Sequence, residues 1–215
     1  MSEKILVTGA SSQIGKEFIK LIPSNIKVYK PSKKEWDFRL LKFNPKQLKI
    51  IKKSNKIVIL HSIISNKTHL KKNSKELNDQ ININLVSIIN ICETALKYNP
   101  KVRIVILGSE SGVKGSFDII YALTKSSIHK YVEERKILKP EQQIVCIAPS
   151  TIKDGSMTLK RKDKKNVKIS IRKNPKKRAI NSTEVSDLIY KLLFDLSDYI
   201  SNTTLHMNGG KFSRM

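Results

Sequence analysis

The chain has 215 residues, enough for one domain around a single core. Hydrophobic residues at 39% and charged residues at 28% are the balance of a soluble globular protein, which excludes a fibrous or disordered chain. The formal net charge is +24, but the excess is mostly Lys spread along the whole length without interleaved aromatics, so nucleic-acid binding is not expected as the main task.

In chain order, Lys4 to Thr8 is a short apolar run, followed at once by T-G-A-S-S-Q-I-G and a helical pattern from about Ile14 that ends before Pro23. Strand, glycine turn and helix in that order make the context of a dinucleotide-binding loop. Gly9 lets the turn form, Gly15 lets the helix pack on the strand, and the helix N-terminus offers amides to a pyrophosphate. Ile26 to Tyr29 reads as a second strand. A site that prefers NAD usually carries an acid just after it, whereas the positions here hold Lys30, Ser32, Lys33 and Lys34, which suit a 2′-phosphate. Asp37 and Phe38 follow, where they can meet the adenine. Pro45 to Lys53 is a short helix and Lys56 to Leu60 a buried strand.

Leu77 to Tyr98 is the longest helical pattern, with Ile81, Leu85, Ile88, Cys92 and Ala95 on one stripe, widened by Val86 and Ile89. Such breadth belongs to a helix that is deeply buried or shared with a second subunit. Asn84 interrupts the stripe, and a buried Asn needs partners, either as a local structural bond or as part of a site. Val102 to Leu107 is a further buried strand that delivers Ser109, and Tyr121 then opens a helix reaching to about Leu138, before Pro140. Tyr121 and Lys125 lie one turn apart on one face, so the ammonium is expected to lower the phenol pKa. Ser109 is placed to hold a carbonyl oxygen while Tyr121 exchanges a proton with it. Glu110 reads as a solvated loop carboxylate. Gln143 to Ala148 is another strand, residues 151 to 180 are the most basic and least periodic part, and Thr183 to Leu196 is a helix capped by Ser182 or Thr183. Thr203 to Met207 is the last strand, closed by Asn208-Gly209-Gly210.

Strands alternating with helices throughout give a single-domain α/β fold, a doubly wound parallel sheet in three α/β/α layers. No segment is long and apolar enough to cross a bilayer, and no signal peptide is expected. Cys92 and Cys146 sit in apolar runs and read as buried thiols in a reducing, cytoplasmic compartment. His61, His69, His129 and His206 lack metal-ligand spacing, so no metal is expected.

With these residues placed, the chain resembles the short-chain dehydrogenase/reductase family over nearly its whole length. T-G-A-S-S-Q-I-G is similar to the family's cofactor loop, I-N-I-N-L-V-S to its central-helix segment, and Ser109, Tyr121 and Lys125 match its remaining catalytic positions with near-usual spacing. I-A-P-S-T-I resembles the segment that touches the nicotinamide in relatives, and the stretch from Ser182 to Gly210 the family's C-terminal helix, turn and strand. Three departures stand out. Gln13 replaces the loop's middle glycine, and His61-Ser62-Ile63-Ile64 replaces Asn-Asn-Ala-Gly, closer to the sugar-nucleotide-modifying branch. Pro31 to Trp36 is also too short for a helix, and with E-W-D-F is similar to dTDP-4-dehydrorhamnose reductases.

The resemblance implies an NAD(P)-dependent oxidoreductase that moves a hydride between a nicotinamide and a carbonyl or secondary alcohol. Tyr121 would be the general acid or base. Lys125 would lower its pKa and bond the nicotinamide ribose, Ser109 would orient the substrate oxygen, and Asn84 would hold a water reaching Lys125. Cofactor contacts would fall on Thr8, Gly9, Ser11, Ser12, Gln13, Ile14, Gly15, Lys30, Lys33, Asp37, Phe38, His61, Ser62, Tyr121, Lys125, Pro149 and Ile152, with NADP(H) favoured over NAD(H). Residues 151 to 180 would be a lid over the substrate, and their positive charge suits an anionic one: a nucleotide-linked keto-sugar, or alternatively an acyl-carrier-bound ketone. The helix from Leu77 to Tyr98 would pair in a homodimer or homotetramer. The competing class is an NADP(H)-sensing or scaffolding protein without turnover, which Gln13 and the altered segment at His61 would suit.

Overall fold

The computed structural model describes residues 3–65, 74–159 and 164–211. Strands β1 (Lys4–Thr8), β2 (Lys27–Tyr29), β3 (Lys56–Ile59), β4 (Arg103–Leu107), β5 (Gln143–Pro149) and β6 (Thr203–Met207) form one sheet in the order β2-β1-β3-β4-β5-β6. Every pairing is parallel, with Ile5 opposite Val28, Leu6 opposite Ile57, Val58 opposite Val105, Ile106 opposite Cys146 and Ile147 opposite Leu205. Parallel strands need covering on both faces, which is why β1, β3 and β5 read as continuous apolar runs rather than alternations.

Successive side chains along each strand go to opposite layers. Leu6, Ile57, Ile59, Ile104, Ile106 and Cys146 face a core built with Ile51 of α2 (Pro45–Lys53), Ile88, Ile91 and Cys92 of α4 (Ser87–Tyr98), and Ile128 and Val132 of α6 (Ile119–Glu134). Ile5, Val7, Val58, Val105, Val145 and Ile147 face the other layer, against Phe18 of α1 (Gln13–Leu21) and Val185, Ile189 and Leu192 of α9 (Ser182–Phe194). The three layers follow. Because β1 pairs with β2 on one side and β3 on the other, the winding reverses at β1, and a crevice opens at the carboxyl ends of the strands beside it.

The long central helix starts at Lys75 with Ser74 as its cap, runs through α3 (Lys75–Ile81), a π turn at Asn82–Val86 and then α4. One residue is inserted into the helical ladder at that turn, a device that often sits beside a site. Much of the stripe's breadth is met inside the chain, since Ile88, Ile91, Cys92, Ala95 and Leu96 are buried and Leu85 and Ile89 pack against the same core.

Three boundaries differ from the sequence expectation, each for a reason that sequence periodicity does not carry. Helix α6 ends at Glu134, not near Leu138, because Arg135 turns extended and grips Glu93 (Nη2–Oε2 2.8 Å) while Asn202 Nδ2 takes the carbonyl of Val132 at 3.1 Å. The segment from 151 to 180 contains two short helices, α7 (Ser156–Leu159) and α8 (Lys164–Arg172), with a parallel bridge between Ile152 and Ile180. Helix α9 is capped at Asn181, one residue before the expected caps, and Glu184 Oε2 accepts the Asn181 N–H at 2.9 Å. Both cysteines are free and buried. No helix among the described residues is long and apolar enough to cross a membrane.

Candidate active site

The carboxyl ends of β1, β3, β4 and β5 converge on a cleft of about 400 Å³. Its walls come from Ser12, Gln13 and Ile14, from Ser62 and Ile64 after β3, and from Leu107 to Ser111 after β4, where α5 (Ser111–Lys114) begins. Leu60, Lys114 to Phe117, Tyr121 and Lys125 of α6, Pro149 to Ile152 after β5, and Gly155 to Thr158, Asn166 and Ser170 of the segment that follows also line it.

On the β1 side the glycine turn is fixed by close approach. Gly9 sits at φ +69°, and a Cβ there would lie 2.7 Å from the His61 backbone nitrogen. A Cβ on Gly15 would lie 2.7 Å from Ala10 Cα, so helix α1 can start only because that carbon is missing. Ser12 caps the helix by accepting the Gly15 N–H at 3.1 Å. Gln13, standing where the middle glycine was expected, turns its amide along the helix to Glu17 Oε1 at 2.9 Å and still lines the cleft. Ser11 is exposed and Thr8 is buried. A helix N-terminus with two positions closed to side chains, opening on a cleft, fits a dinucleotide pyrophosphate.

On the β4 side, the N-cap Asp118 sets α6 by accepting the Tyr121 N–H at 2.9 Å. Its second oxygen takes the Ser65 N–H and the Gln80 amide, each at 2.6 Å, tying the start of α6 to the loop after β3 and to α3. Tyr121 is 8% exposed and Lys125 1%. The Lys125 ammonium donates to the carbonyl of Leu107 at 2.8 Å and stands 5.6 Å from the centre of the Tyr121 ring. Burial pushes the Lys125 pKa down to about 8. Burial also pushes the Tyr121 phenol up to about 12, against a hydrogen bond with Ser109 that favours the phenolate, while Asp118 adds to the rise. The expected fall in the Tyr121 pKa is therefore corrected: desolvation dominates, and the Lys125 ammonium is turned toward Leu107.

Asn84, fully buried in the π turn, accepts from Ser62 Oγ (3.0 Å) and the Ile63 N–H (2.8 Å) and donates to the Ile63 carbonyl (2.8 Å). These bonds pin the cleft wall after β3. His61 is likewise engaged inside the fold. Its Nδ1 meets Thr8 Oγ1 at 2.7 Å, its Nε2 meets Ser87 Oγ at 2.9 Å, and Phe38 stacks on its ring at 3.8 Å. Burial holds its pKa down at about 3, with the Lys125 charge adding to the effect.

Several expected cofactor contacts are not among the cleft walls: Thr8, Gly9, Ser11, Gly15, Lys30, Lys33, Asp37, Phe38 and His61. Lys30 and Lys33 are exposed beyond the end of β2. Ser32 gives both its N–H and its hydroxyl to Glu35 Oε2 at 2.8 Å. Asp37 is held by Arg39, with Nε at 2.8 Å from Oδ1, and that guanidinium lowers its pKa to about 2. Sequence reasoning passed over Arg39, although a cation two residues from Asp37 was visible.

Glu110 corrects a second expectation. It is 4% exposed rather than solvated, lines the cleft, and is paired with Lys114 and with Lys211, whose Nζ lies 3.4 Å from Oε1. The described residues of the 151–180 segment that line the cleft are neutral, while Lys153, Lys165, Lys168, Arg172, Lys173, Lys176, Lys177 and Arg178 are exposed, the last paired with Glu184. His69, Lys160, Arg161, Lys162 and Asp163 lie outside the described residues.

A family model described as Enoyl-(Acyl carrier protein) reductase matches residues 50–211. No curated protein sequence matches the chain. Among solved structures, a short chain dehydrogenase family protein from Francisella tularensis subsp. tularensis SCHU S4 is similar at TM-score 0.80 and 20% identity, over 98% of this chain and 99% of that one. The aldohexose dehydrogenase AldT of Thermoplasma acidophilum is similar at 0.81 and 20%, over 98% and 94%. ElxO with NADP bound is similar at 0.81 and 21%, over 98% and 99%. At these identities the likeness speaks for the fold.

His61 gives this site a measurable acid limit. Its folded pKa of about 3 lies below the unfolded value, so between the two the unfolded chain binds the extra proton and stability falls as pH falls. One such group costs roughly 2 kcal/mol between pH 7 and pH 5. Denaturant titrations across that range should show a shallower acid loss in His61→Gln than in the wild type, whereas parallel profiles would remove His61 from this role.

Proposed function

The chain belongs to the short-chain dehydrogenase/reductase family of NAD(P)-dependent oxidoreductases, and from that premise we propose that Tyr121, Lys125 and Ser109 perform carbonyl reduction in the cleft. The observation that carries the reading is Tyr121: it lines the cleft, is nearly buried, and holds its proton with a pKa raised to about 12. A phenol kept protonated at neutral pH is a proton donor, which favours the reductive direction. A nicotinamide cofactor supplies the hydride to the substrate carbon. Tyr121 gives its proton to the oxygen, so a ketone or aldehyde leaves as an alcohol. The Ser109 hydroxyl holds that oxygen. Lys125, a buried cation one turn from Tyr121, favours the phenolate left behind. Asn84 acts through the loop it fixes, keeping Ser62 and Ile63 against the cleft.

The cofactor contacts fit Ser12, Gln13, Ile14 and Ser62 along the cleft, with Pro149 and Ile152 at its far wall. Thr8, Gly9 and Gly15 build the turn that presents Ser11 and the first amides of α1. NADP(H) is the favoured form. Lys30 and Lys33 are exposed beyond β2, and of the two acids that follow them, Glu35 is held by Ser32 and Asp37 is paired with Arg39. ElxO, a structural relative, is described with NADP bound.

For the substrate we favour an anion, a nucleotide-linked keto-sugar or an acyl-carrier-bound ketone. The exposed cations of the lid and the net charge of +24 support long-range attraction. With neutral residues lining the lid's cleft face, charge acts on arrival more than on contact. The acyl-carrier reading also has the description of the matching family model behind it. Homodimer or homotetramer formation through the helix from 75 to 98 is supported by exposed Tyr98 and by Ile119 and Leu123 of the adjacent α6. Two free buried thiols favour a reducing cytoplasm.

Replacing Tyr121 with Phe removes the proton donor and should lower turnover roughly a hundredfold or more. NADPH binding by fluorescence titration should survive, and near-normal turnover would refute the assignment. A charge-assisted phosphate contact contributes about 1.5–3 kcal/mol. Lys33→Glu should accordingly weaken NADPH about tenfold or more while leaving NADH nearly unaffected. Tighter binding of NADH than NADPH to the wild type would contradict the NADP(H) preference.

A further inference from the structure

We propose that His129 is a positioning residue for Ser109, holding the backbone of the loop after β4 so that the serine hydroxyl faces Tyr121. The inference rests on the assignment of Ser109 to the substrate oxygen. On α6, Tyr121, Lys125 and His129 follow one another at four-residue spacing, on one face of the helix. The first two reach the cleft. The third is 6% exposed and turns under the loop, where its Nε2 accepts the Ser109 N–H at 3.3 Å. Its proton therefore sits on Nδ1.

The glycines on either side of Ser109 carry the second observation. A Cβ on Gly108 would lie 2.5 Å from His129 Nε2, and one on Gly112 would lie 2.7 Å from Cε1. Neither has a positive φ, so no backbone conformation demands glycine at those positions. What demands it is room: the imidazole ring lies against both, joined by the Cys146 sulfur at Gly108 and by the α6 backbone of Lys125 and Ser126 at Gly112. The neighbouring backbone donors are already bonded across to β5: Gly108 N–H to the Ile147 carbonyl at 2.7 Å and Glu110 N–H to the Pro149 carbonyl at 2.9 Å. The Ser109 N–H between them points the other way, and His129 is its acceptor. Without it a part-buried donor loses its partner and the loop is free to turn.

The bond needs a neutral ring. Burial, then His206 of β6 edge-on at 6.1 Å, then Lys125 of the same helix keep the His129 pKa down at about 4. From β5, the Cys146 thiol approaches the same Gly108.

The experiment compares His129→Leu, His129→Gln and Ser109→Ala in the full chain, with NADPH affinity read by fluorescence titration beside steady-state kinetics. The expected result is an NADPH affinity within about threefold of the wild type for all three, and a kcat about tenfold lower or more for His129→Leu and Ser109→Ala. His129→Gln keeps an acceptor oxygen and should recover most of the kcat lost in His129→Leu. Full turnover in His129→Leu with Ser109→Ala impaired overturns the inference while leaving Ser109 in its role. Full turnover in Ser109→Ala overturns both. If His129→Leu does not bind NADPH, the pH dependence of kcat decides. As pH falls toward about 4 the wild type should lose more of its turnover than His129→Gln, and an identical acid limb in both overturns the inference.

Discussion

Lys125 carries an ammonium that is almost wholly removed from water, and the carbonyl of Leu107 is the partner that makes this tolerable. Burying a charge without such a partner costs several kcal/mol, so the position of that carbonyl is a condition for the whole site. Leu107 is the last residue of β4, and its place is set by pairing with Ile147 of β5 and by the flanking register of β3. The sheet thus does more than support the cleft. It ends where the lysine needs an acceptor, and burial still holds the Lys125 pKa down.

From that contact the dependence spreads along bonds between loops. Asp118 fixes the first turn of α6 and, through Ser65 and Gln80, the loop after β3 and the start of the central helix. Asn84 fixes the same loop from the π turn, and His61 joins β1 to α4 through Thr8 and Ser87. Each is a buried polar side chain with its partners satisfied, and together they hold rigid the segments that Tyr121 and Ser109 face. The surface is governed by a different rule. Its many lysines are exposed, while among the described cleft walls only Glu110, Lys114 and Lys125 are charged.

The sheet was legible in the sequence because fully covered parallel strands leave unbroken apolar runs, and the glycine turn because Gly9 and Gly15 have no substitute there. Tyr121 and Lys125 on one face of α6 were legible from spacing alone. The Tyr121 pKa was not, since burial is set by packing that spacing along one helix does not show. The state of Glu110 was hidden for the same reason, because its partner Lys211 lies about a hundred residues away. The end of α6 is set by Glu93 and Asn202, also distant in sequence, while the Asp118 cap three residues before Tyr121 was a local signal that went unused.

The most direct measurement is oxidation of NADPH by the purified chain in the presence of a panel of dicarbonyls and keto-sugars. A proton-donating Tyr121 beside a dinucleotide cleft predicts carbonyl-dependent consumption of NADPH with formation of the alcohol. Saturable NADPH binding with no turnover on any carbonyl in the panel would contradict it and leave a protein that senses the cofactor.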